Sequence, residues 1–217
     1  MSFATFLYLV RSDVYRVRSS ASNSALLREL FLGESFKFIF WYRACRYTRG
    51  HPVLRVVAYP IARLLMRHYG YAFGIGIPPA TEIGPGFYIG HHSGIFVHPR
   101  CRIGKNCNLS PGVVLGLANR GPRRGVPTLG DNVYLGPGVK VVGAVRVGDH
   151  VAVGANAVVT SDLPDHSVAV GIPAKVISLE GSAGYVMRTG YEDELGPWPG
   201  SEDASPATDP MQSIRAR

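Results

Sequence analysis

The feature that most constrains this chain is an aliphatic residue that recurs every six positions through its middle. In the second part of the repeat, six successive positions keep this spacing without a break: Leu129, Leu135, Val141, Val147, Val153 and Val159. Two earlier sets, separated by a two-residue slip, are Ile83, Ile89 and Ile95, and then Val97, Ile103, Leu109 and Leu115. Neither a helix nor a simple strand produces a six-residue period. Repeats of this length indicate a parallel β-helix.

The repeat also predicts how the coils stack. Three six-residue segments make one triangular coil, so aliphatic residues eighteen positions apart should lie above one another along the axis. Each buried Val, Ile or Leu contributes about 1.5–3 kcal/mol relative to exposure. One coil cannot bury its own faces, so several must stack. We therefore expect a β-helix domain over residues 71–178, with about five coils from 77 onward.

Besides the two-residue slip, the spacing breaks between Leu115 and Leu129. Their separation of fourteen residues is not a multiple of six, so residues 117–128 must leave the coil as a loop. One interpretation is a tolerated surface insertion. The other is a substrate lid, because Arg120, Arg123 and Arg124 lie close together and guanidinium groups suit phosphate or carboxylate.

The flanks of the repeat have a different character. Residues 1–70 carry apolar residues on a helical period, which predicts helices over 25–32, 35–49 and 52–69, the last bent at Pro60. Residues 179–217 are rich in Gly, Pro, Ser and acidic residues, which predicts a flexible acidic tail.

The net charge of +8 is segregated along the chain. Residues 1–70 hold eleven basic and three acidic residues, whereas residues 179–217 hold three basic and seven acidic ones. The basic, aromatic first third is interpreted as a helical subdomain whose Arg stems cover apolar surface. Peripheral contact of residues 1–70 with an anionic membrane is the alternative. The sequence carries no nucleic-acid recognition module, so no nucleic-acid partner is expected.

The predicted compartment is the cytoplasm, with the inner face of the membrane as the variant that lipid contact would imply. No apolar run approaches the roughly 18 residues of a membrane span, and the first residues do not form a secretion signal. Three cysteines, an odd number, favour a reducing compartment. Cys45, Cys101 and Cys107 are expected to be small buried apolar residues.

The repeats, the loop and the closing phrase VAVGANAVVTSDLPDHSVAVGIPAKVI resemble those of the left-handed β-helix acyltransferases. The resemblance covers residues 60–178 and is strongest to serine acetyltransferases and to the O-acetyltransferases of polysaccharide gene clusters. It implies a mainly β fold, a left-handed parallel β-helix of hexapeptide repeats with an N-terminal α-helical region. It also implies acetyl-CoA as the donor, no metal, and a homotrimer that could assemble further.

Members of this family use a histidine on the β-helix surface as a general base. The corresponding phrase here is Gly90-His91-His92-Ser93-Gly94, so the resemblance implies that His91 is the catalytic base. An imidazole can accept the proton of an acceptor hydroxyl near neutral pH. His92 is the competitor, and only one of two adjacent residues can face a given cleft. Glu82 is the nearby carboxylate that could orient His91 or contact the acceptor.

The resemblance also implies a groove for acetyl-CoA between neighbouring subunits of the trimer. Small residues would let the pantetheine arm approach the backbone, and basic residues would meet its phosphates. The candidates for binding acetyl-CoA are Gly116, Arg120, Gly136, Gly154, Ala155 and Lys175. Each glycine could instead be only a corner of the repeat.

Three positions depart from the serine acetyltransferase pattern. Gly76 and Gly90 stand where that family has aspartates, and Gly125-Val126 stands where it has an Arg-His pair. An amino-acid zwitterion would lack charged partners, at a cost of a few kcal/mol. The acceptor predicted from the sequence is therefore a sugar hydroxyl of a polysaccharide or glycolipid precursor, with L-serine as the alternative.

The repeat is also compatible with two functions from other classes. A non-catalytic β-helix scaffold would share the repeat but would not bind acetyl-CoA. A metal-dependent carbonic anhydrase of the same fold would need three converging histidines. The seven histidines of this chain lack the close pair, five residues apart, that such enzymes use.

Overall fold

Four helices precede the strands in the computed structural model, which describes residues 1–200. They are α1 (Phe3–Arg18), α2 (Asn23–Leu32), α3 (Ser35–Arg49) and α4 (Pro52–Phe73), and a short helix α5 (Glu192–Leu195) follows the strands. The hydroxyl of Ser2 accepts a hydrogen bond from the Thr5 amide at 3.0 Å and so caps α1. α4 continues through Pro60 and ends four residues beyond the predicted boundary. No helix within residues 1–200 is long and apolar enough to cross a membrane.

Fourteen short strands form three sheets within the described residues. Their bounds are β1 (Ile75–Gly76), β2 (Glu82–Ile83), β3 (Ile95–Val97), β4 (Arg102–Ile103), β5 (Asn108–Leu109), β6 (Val114–Gly116), β7 (Thr128–Leu129), β8 (Tyr134–Leu135), β9 (Lys140–Val142), β10 (Arg146–Val147), β11 (Ala152–Val153), β12 (Val158–Val159), β13 (Val168–Val170) and β14 (Lys175–Ser178). The first sheet has the order β1-β3-β6-β9-β12, the second β10-β7-β4-β2, and the third β14-β13-β11-β8-β5. Consecutive strands up to β13 lie in different sheets, so the chain winds around three faces, and β14 then folds back on β13.

The strand register confirms the stacking predicted from the repeat. Leu129 pairs with Val147, and Leu135 with Val153, each eighteen residues further along the chain. The two-residue slip lengthens one coil, so that Ile83 pairs with Ile103. The loop of residues 117–128 lengthens the next coil by eight residues, so that Ile103 pairs with Leu129. All thirteen aliphatic residues of the repeat are buried, none more than 6% exposed, because both insertions leave the stack intact.

The helices seal the open end of the β-helix. The buried guanidinium of Arg43 donates to both carboxylate oxygens of Asp13, at 2.8 and 3.1 Å, and to the carbonyls of Ile83 and Gly84, each at 2.7 Å. The same carboxylate accepts from the Phe87 amide at 2.7 Å. The first coil has no strand above it, so side chains of α1 and α3 satisfy its backbone groups.

The predicted flexible tail is wrong for the described part of residues 179–217. Tyr191 is almost fully buried, and its ring packs edge-on against Tyr8 and Tyr15 of α1, with centroids 6.1 and 6.2 Å apart. A carboxylate oxygen of Glu194 accepts a hydrogen bond from the Ala21 amide at 2.9 Å. A few aromatic anchors hold this segment, although its mean composition is that of a solvated chain. Residues 201–217 lie outside the described residues.

Candidate active site

His91 and His92 lie on a turn between two buried isoleucines, Ile89 and Ile95. Both isoleucines are fixed in the core, so the residues between them must run over the surface. The turn uses backbone conformations with positive φ at Ser93 (108°), a position that strains a residue with a side chain. His91 is exposed and His92 is half-buried.

His91 borders a cavity of about 280 Å³ beside the third sheet. The side chains around it include Tyr88, Asn108, Ser110, Tyr134 and Tyr185. Tyr88, Asn108 and Tyr134 each precede a buried aliphatic residue of the repeat, so they point away from the core. Backbone pairing stacks Tyr88 on Asn108 and Asn108 on Tyr134. The regular coil therefore presents one polar or aromatic side chain per turn to this cavity.

Hydrogen bonds and ring contacts fix the wall of the cavity. Arg16 donates to the Asn108 side-chain oxygen at 2.6 Å. The Asn108 side-chain nitrogen in turn donates to the backbone carbonyl of Tyr185 at 3.0 Å. The Arg16 guanidinium also lies over the Tyr88 ring, 5.7 Å from its centroid. The rings of Tyr134 and Tyr185 are stacked with centroids 4.6 Å apart. No carboxylate, ammonium or guanidinium group within residues 1–200 lines the cavity.

The structure does not bring His92 or Glu82, the two alternative site candidates, into this cavity. The His92 ring packs against Phe73 with centroids 4.7 Å apart. Its Nδ1 is 3.3 Å from a carboxylate oxygen of Glu34 but is too poorly aligned for a hydrogen bond. Glu82 lies on β2 in the second sheet, where its carboxylate is 3.2 Å from Nε of Arg102 and both side chains are more than half exposed. Glu82 therefore has a partner of its own, away from the cavity.

The glycine candidates for acetyl-CoA binding differ in whether the packing of the coils leaves room for a side chain. A Cβ at Gly136 would lie 2.9 Å from the Val153 carbonyl, and one at Gly154 would lie 2.8 Å from the Val170 side chain. Backbone stacking therefore requires glycine at Gly136, whereas at Gly154 a side chain would meet only the Val170 methyl group, which would have to shift. Gly116 is different, since the nearest atom to its Cβ would be 3.6 Å away. Packing leaves room for a side chain there, so coil stacking does not explain that glycine.

The remaining candidates lie on the surface of the later coils. Ala155 follows Gly154 at an exposed corner. Lys175 is the exposed first residue of β14, which pairs antiparallel with β13 at the end of the third sheet. Arg120 is exposed at the tip of the loop.

The loop is tied to the coil that follows it. Arg123 donates to the Asp162 carboxylate at 2.7 Å, and the backbone amide of Arg146 donates to the same oxygen at 2.9 Å. The Arg146 amide, followed by the Arg123 guanidinium, holds the pKa of Asp162 below its ordinary value. Arg123 thus has a structural partner, whereas Arg120 and Arg124 project into solvent.

Sequence reasoning missed the tyrosines of the cavity. Tyr88 and Tyr134 could have been found from the repeat, because each stands one position before an aliphatic residue and must face outward. Tyr185 had no such signal. It belongs to the C-terminal segment, which returns over the third sheet through contacts that the sequence does not encode locally.

Comparison with known proteins shows the class of enzyme to which the protein belongs. Residues 127–161 match the family model for bacterial transferase hexapeptide (six repeats). A serine acetyltransferase solved in complex with CoA superimposes with a TM-score of 0.65 at 26% identity, over 81% of this chain and 71% of that one. The protein is thus a left-handed β-helix acyltransferase that uses acetyl-CoA, as the sequence predicted.

The particular family follows from closer matches. The chain is 42% identical over 132 residues to a serine acetyltransferase of Helicobacter pylori strain J99. The matched region covers 61% of this chain and 77% of that protein. The serine acetyltransferase of Neisseria gonorrhoeae, solved in complex with serine, superimposes with a TM-score of 0.65 at 26% identity, over 82% and 71% of the two chains. The chain belongs to the serine acetyltransferase family. These matches favour the serine alternative over the predicted polysaccharide acceptor.

Proposed function

We propose that the protein transfers the acetyl group of acetyl-CoA to the hydroxyl of L-serine, with His91 as the general base. The observation that carries the proposal is the exposed imidazole of His91 at the rim of a preformed cavity. Relatives that are serine acetyltransferases, one of them solved with serine, support this acceptor.

The reaction needs one proton carrier. A ring nitrogen of His91 takes the proton of the acceptor hydroxyl as the oxygen attacks the thioester carbonyl carbon. The tetrahedral intermediate then collapses with cleavage of the carbon–sulfur bond, and the protonated ring returns its proton to the departing CoA sulfur. The products are the O-acetyl ester and free CoA, and His91 regains its starting form.

The proposed site is completed by a neighbouring copy in a trimer. The His91 ring makes no hydrogen bond within residues 1–200 and lies open to solvent. A general base needs an orienting partner, and a second protomer or the bound substrate can supply it. Gly116, Arg120, Gly136, Gly154, Ala155 and Lys175 are the proposed contacts for acetyl-CoA.

A neutral, ring-shaped acceptor such as a sugar unit is the second candidate, favoured by the chemistry of the cavity. A Cβ at Gly76 would lie 2.6 Å from the Phe96 ring, and one at Gly90 would lie 3.0 Å from the Tyr88 ring. At Gly76 and Gly90, where the family resemblance implies aspartates, aromatic rings therefore fill the space that a side chain would need. A cavity with aromatic walls, lined by no carboxylate, ammonium or guanidinium group within residues 1–200, suits a neutral ligand better than a zwitterion.

The acceptor is tested by following release of CoA thiol with L-serine, a nucleotide-linked sugar and a lipid-linked sugar in parallel. The proposal predicts saturable turnover with L-serine that is lost in His91→Ala and retained in His92→Ala. Turnover with a sugar but not with L-serine would overturn the acceptor and leave the role of His91 standing. Thiol release that survives in His91→Ala would overturn the base.

Two other measurements, thermal stabilisation by acetyl-CoA and metal analysis, address the functions from other classes. A scaffold would show no thermal stabilisation by acetyl-CoA, whereas a ligand at a hundred times its Kd stabilises by about 2.7 kcal/mol. Within residues 1–200, no three His, Cys, Asp or Glu side chains are grouped so as to hold a metal ion. Stoichiometric zinc in the purified protein would revive the metalloenzyme interpretation.

A further inference from the structure

The outward face of α4 is apolar and has nothing packed on it within the described residues. Val53, Val57, Leu64 and Tyr71 are between 59 and 80% exposed. Their spacings of four, seven and seven residues place them on a single face of the helix. Two further exposed residues widen this face. We call the set the α4 strip, and its members are Val53, Val56, Val57, Ile61, Leu64 and Tyr71.

The opposite face of α4 is the one that the fold uses. Ala62 and Met66 are buried, and Tyr59, Tyr69 and Phe73 pack against the core. The α4 strip is therefore not needed to attach the helix to the rest of the molecule. A contiguous exposed apolar face on a folded protein marks an interaction surface.

The charged residues of α3 and α4 are of one sign. Residues 35–81 contain no Asp or Glu, so neither helix carries an acidic residue. The nearest acidic residue along the chain, Glu34, lies beside His92 at the C-terminal end of α4. Arg63 and Arg67 of α4 are exposed beside the strip, one helical turn apart. An apolar helix face with arginines beside it and no acidic residue on its own helix is complementary to an anionic surface that also has an apolar interior.

We propose that the α4 strip lies on an anionic lipid bilayer, with its apolar residues at the boundary of the acyl chains and Arg63 and Arg67 against the lipid phosphates. A second copy of the chain fits less well. Two such faces in contact would bring like charges together, without a carboxylate on α3 or α4 to pair with them. The inference goes beyond the proposed function and does not depend on the identity of the acceptor.

The test is flotation of the full-length protein with vesicles made of equal parts phosphatidylcholine and phosphatidylglycerol, against vesicles of phosphatidylcholine alone. Binding is expected to the anionic vesicles and to fall as salt is added. Val57→Glu/Leu64→Glu should weaken the partition by about 100-fold or more, since two apolar anchors are lost. Arg63→Ala/Arg67→Ala should weaken it by about 25-fold, roughly fivefold for each arginine.

The matched control is Arg102→Ala/Arg146→Ala, which removes the same charge from the second sheet and should leave vesicle binding unchanged. Circular dichroism and thiol release in solution verify that each variant is folded. The proposal is overturned if the wild type does not float, if it binds neutral vesicles equally well, or if the arginine pair on α4 matters no more than the control pair. It is also overturned if Val57→Glu/Leu64→Glu converts a larger assembly to a smaller one and leaves vesicle binding intact, because the strip would then join copies of the chain.

Discussion

Replacing Arg43 with methionine should destabilise the protein by about 3–5 kcal/mol. The guanidinium is fully buried and makes four hydrogen bonds, two to Asp13 and one each to the carbonyls of Ile83 and Gly84. Methionine keeps much of the apolar volume, so the substitution removes chiefly the charge and its hydrogen bonds.

The magnitude follows from what the substitution leaves behind. Asp13 would be a buried carboxylate with only the Phe87 amide as a donor. An unpaired buried charge of this kind costs about 3–5 kcal/mol. The two carbonyls would lose their donors as well, but they can recover part of that loss from water, so we do not add them. A domain is stable by only about 5–15 kcal/mol in total, and the effect should be large.

Urea unfolding followed by circular dichroism, at one protein concentration, measures this loss. Arg102→Met is the matched control, because its pair with Glu82 is exposed and should contribute no more than about 1 kcal/mol. Arg43→Met/Asp13→Leu should recover part of the stability, since the Asp13 carboxylate is then no longer buried without its partner. If Arg43→Met costs no more than the Arg102 control, the view that the helices seal the open coil is refuted.

Three further outcomes are expected. His91→Ala should lower turnover by about 100-fold or more, whereas His92→Ala should keep most of it, as measured by thiol release at saturating substrates. Tyr185→Ala should raise the KM for the acceptor and leave the KM for acetyl-CoA unchanged, because the ring lines the cavity beside His91; equal effects on both would contradict this role. Burial raises the pKa of Cys107 to about 12, so this thiol should stay neutral and unreactive toward a disulfide reagent at pH 8 until the protein unfolds. Rapid labelling of Cys107 in the folded protein would show that the coil opens there.

The core could be predicted from the sequence because its physics is local. A six-residue period fixes which side chains face inward, and residues such as Val147 and Val153 need no distant information to be assigned to the stack. The loop could be located for the same reason, since the break between Leu115 and Leu129 must be absorbed outside the coil. The pairing of Leu115 with Val141 shows that it is.

The parts that were missed depend on contacts between distant segments. Helix α1 was not assigned its own boundaries, although its buried Asp13 and Arg16 are what join it to the first coil. The C-terminal segment was predicted to be flexible because its composition is polar, yet Tyr191 anchors it on α1. Tyr185 reaches the cavity only through that anchoring. Average composition does not reveal a few well-placed aromatic residues.

A crystal structure of the protein with bound CoA would show whether His91 faces the thioester. We predict that the CoA sulfur lies at the rim of the cavity formed by Tyr88, Tyr134 and Tyr185, within hydrogen-bond reach of His91 or separated from it by one water. We also predict that a second copy of the chain supplies the opposite wall. CoA bound on another face, or a His91 ring sealed away from the sulfur, would refute His91 as the general base at this cavity.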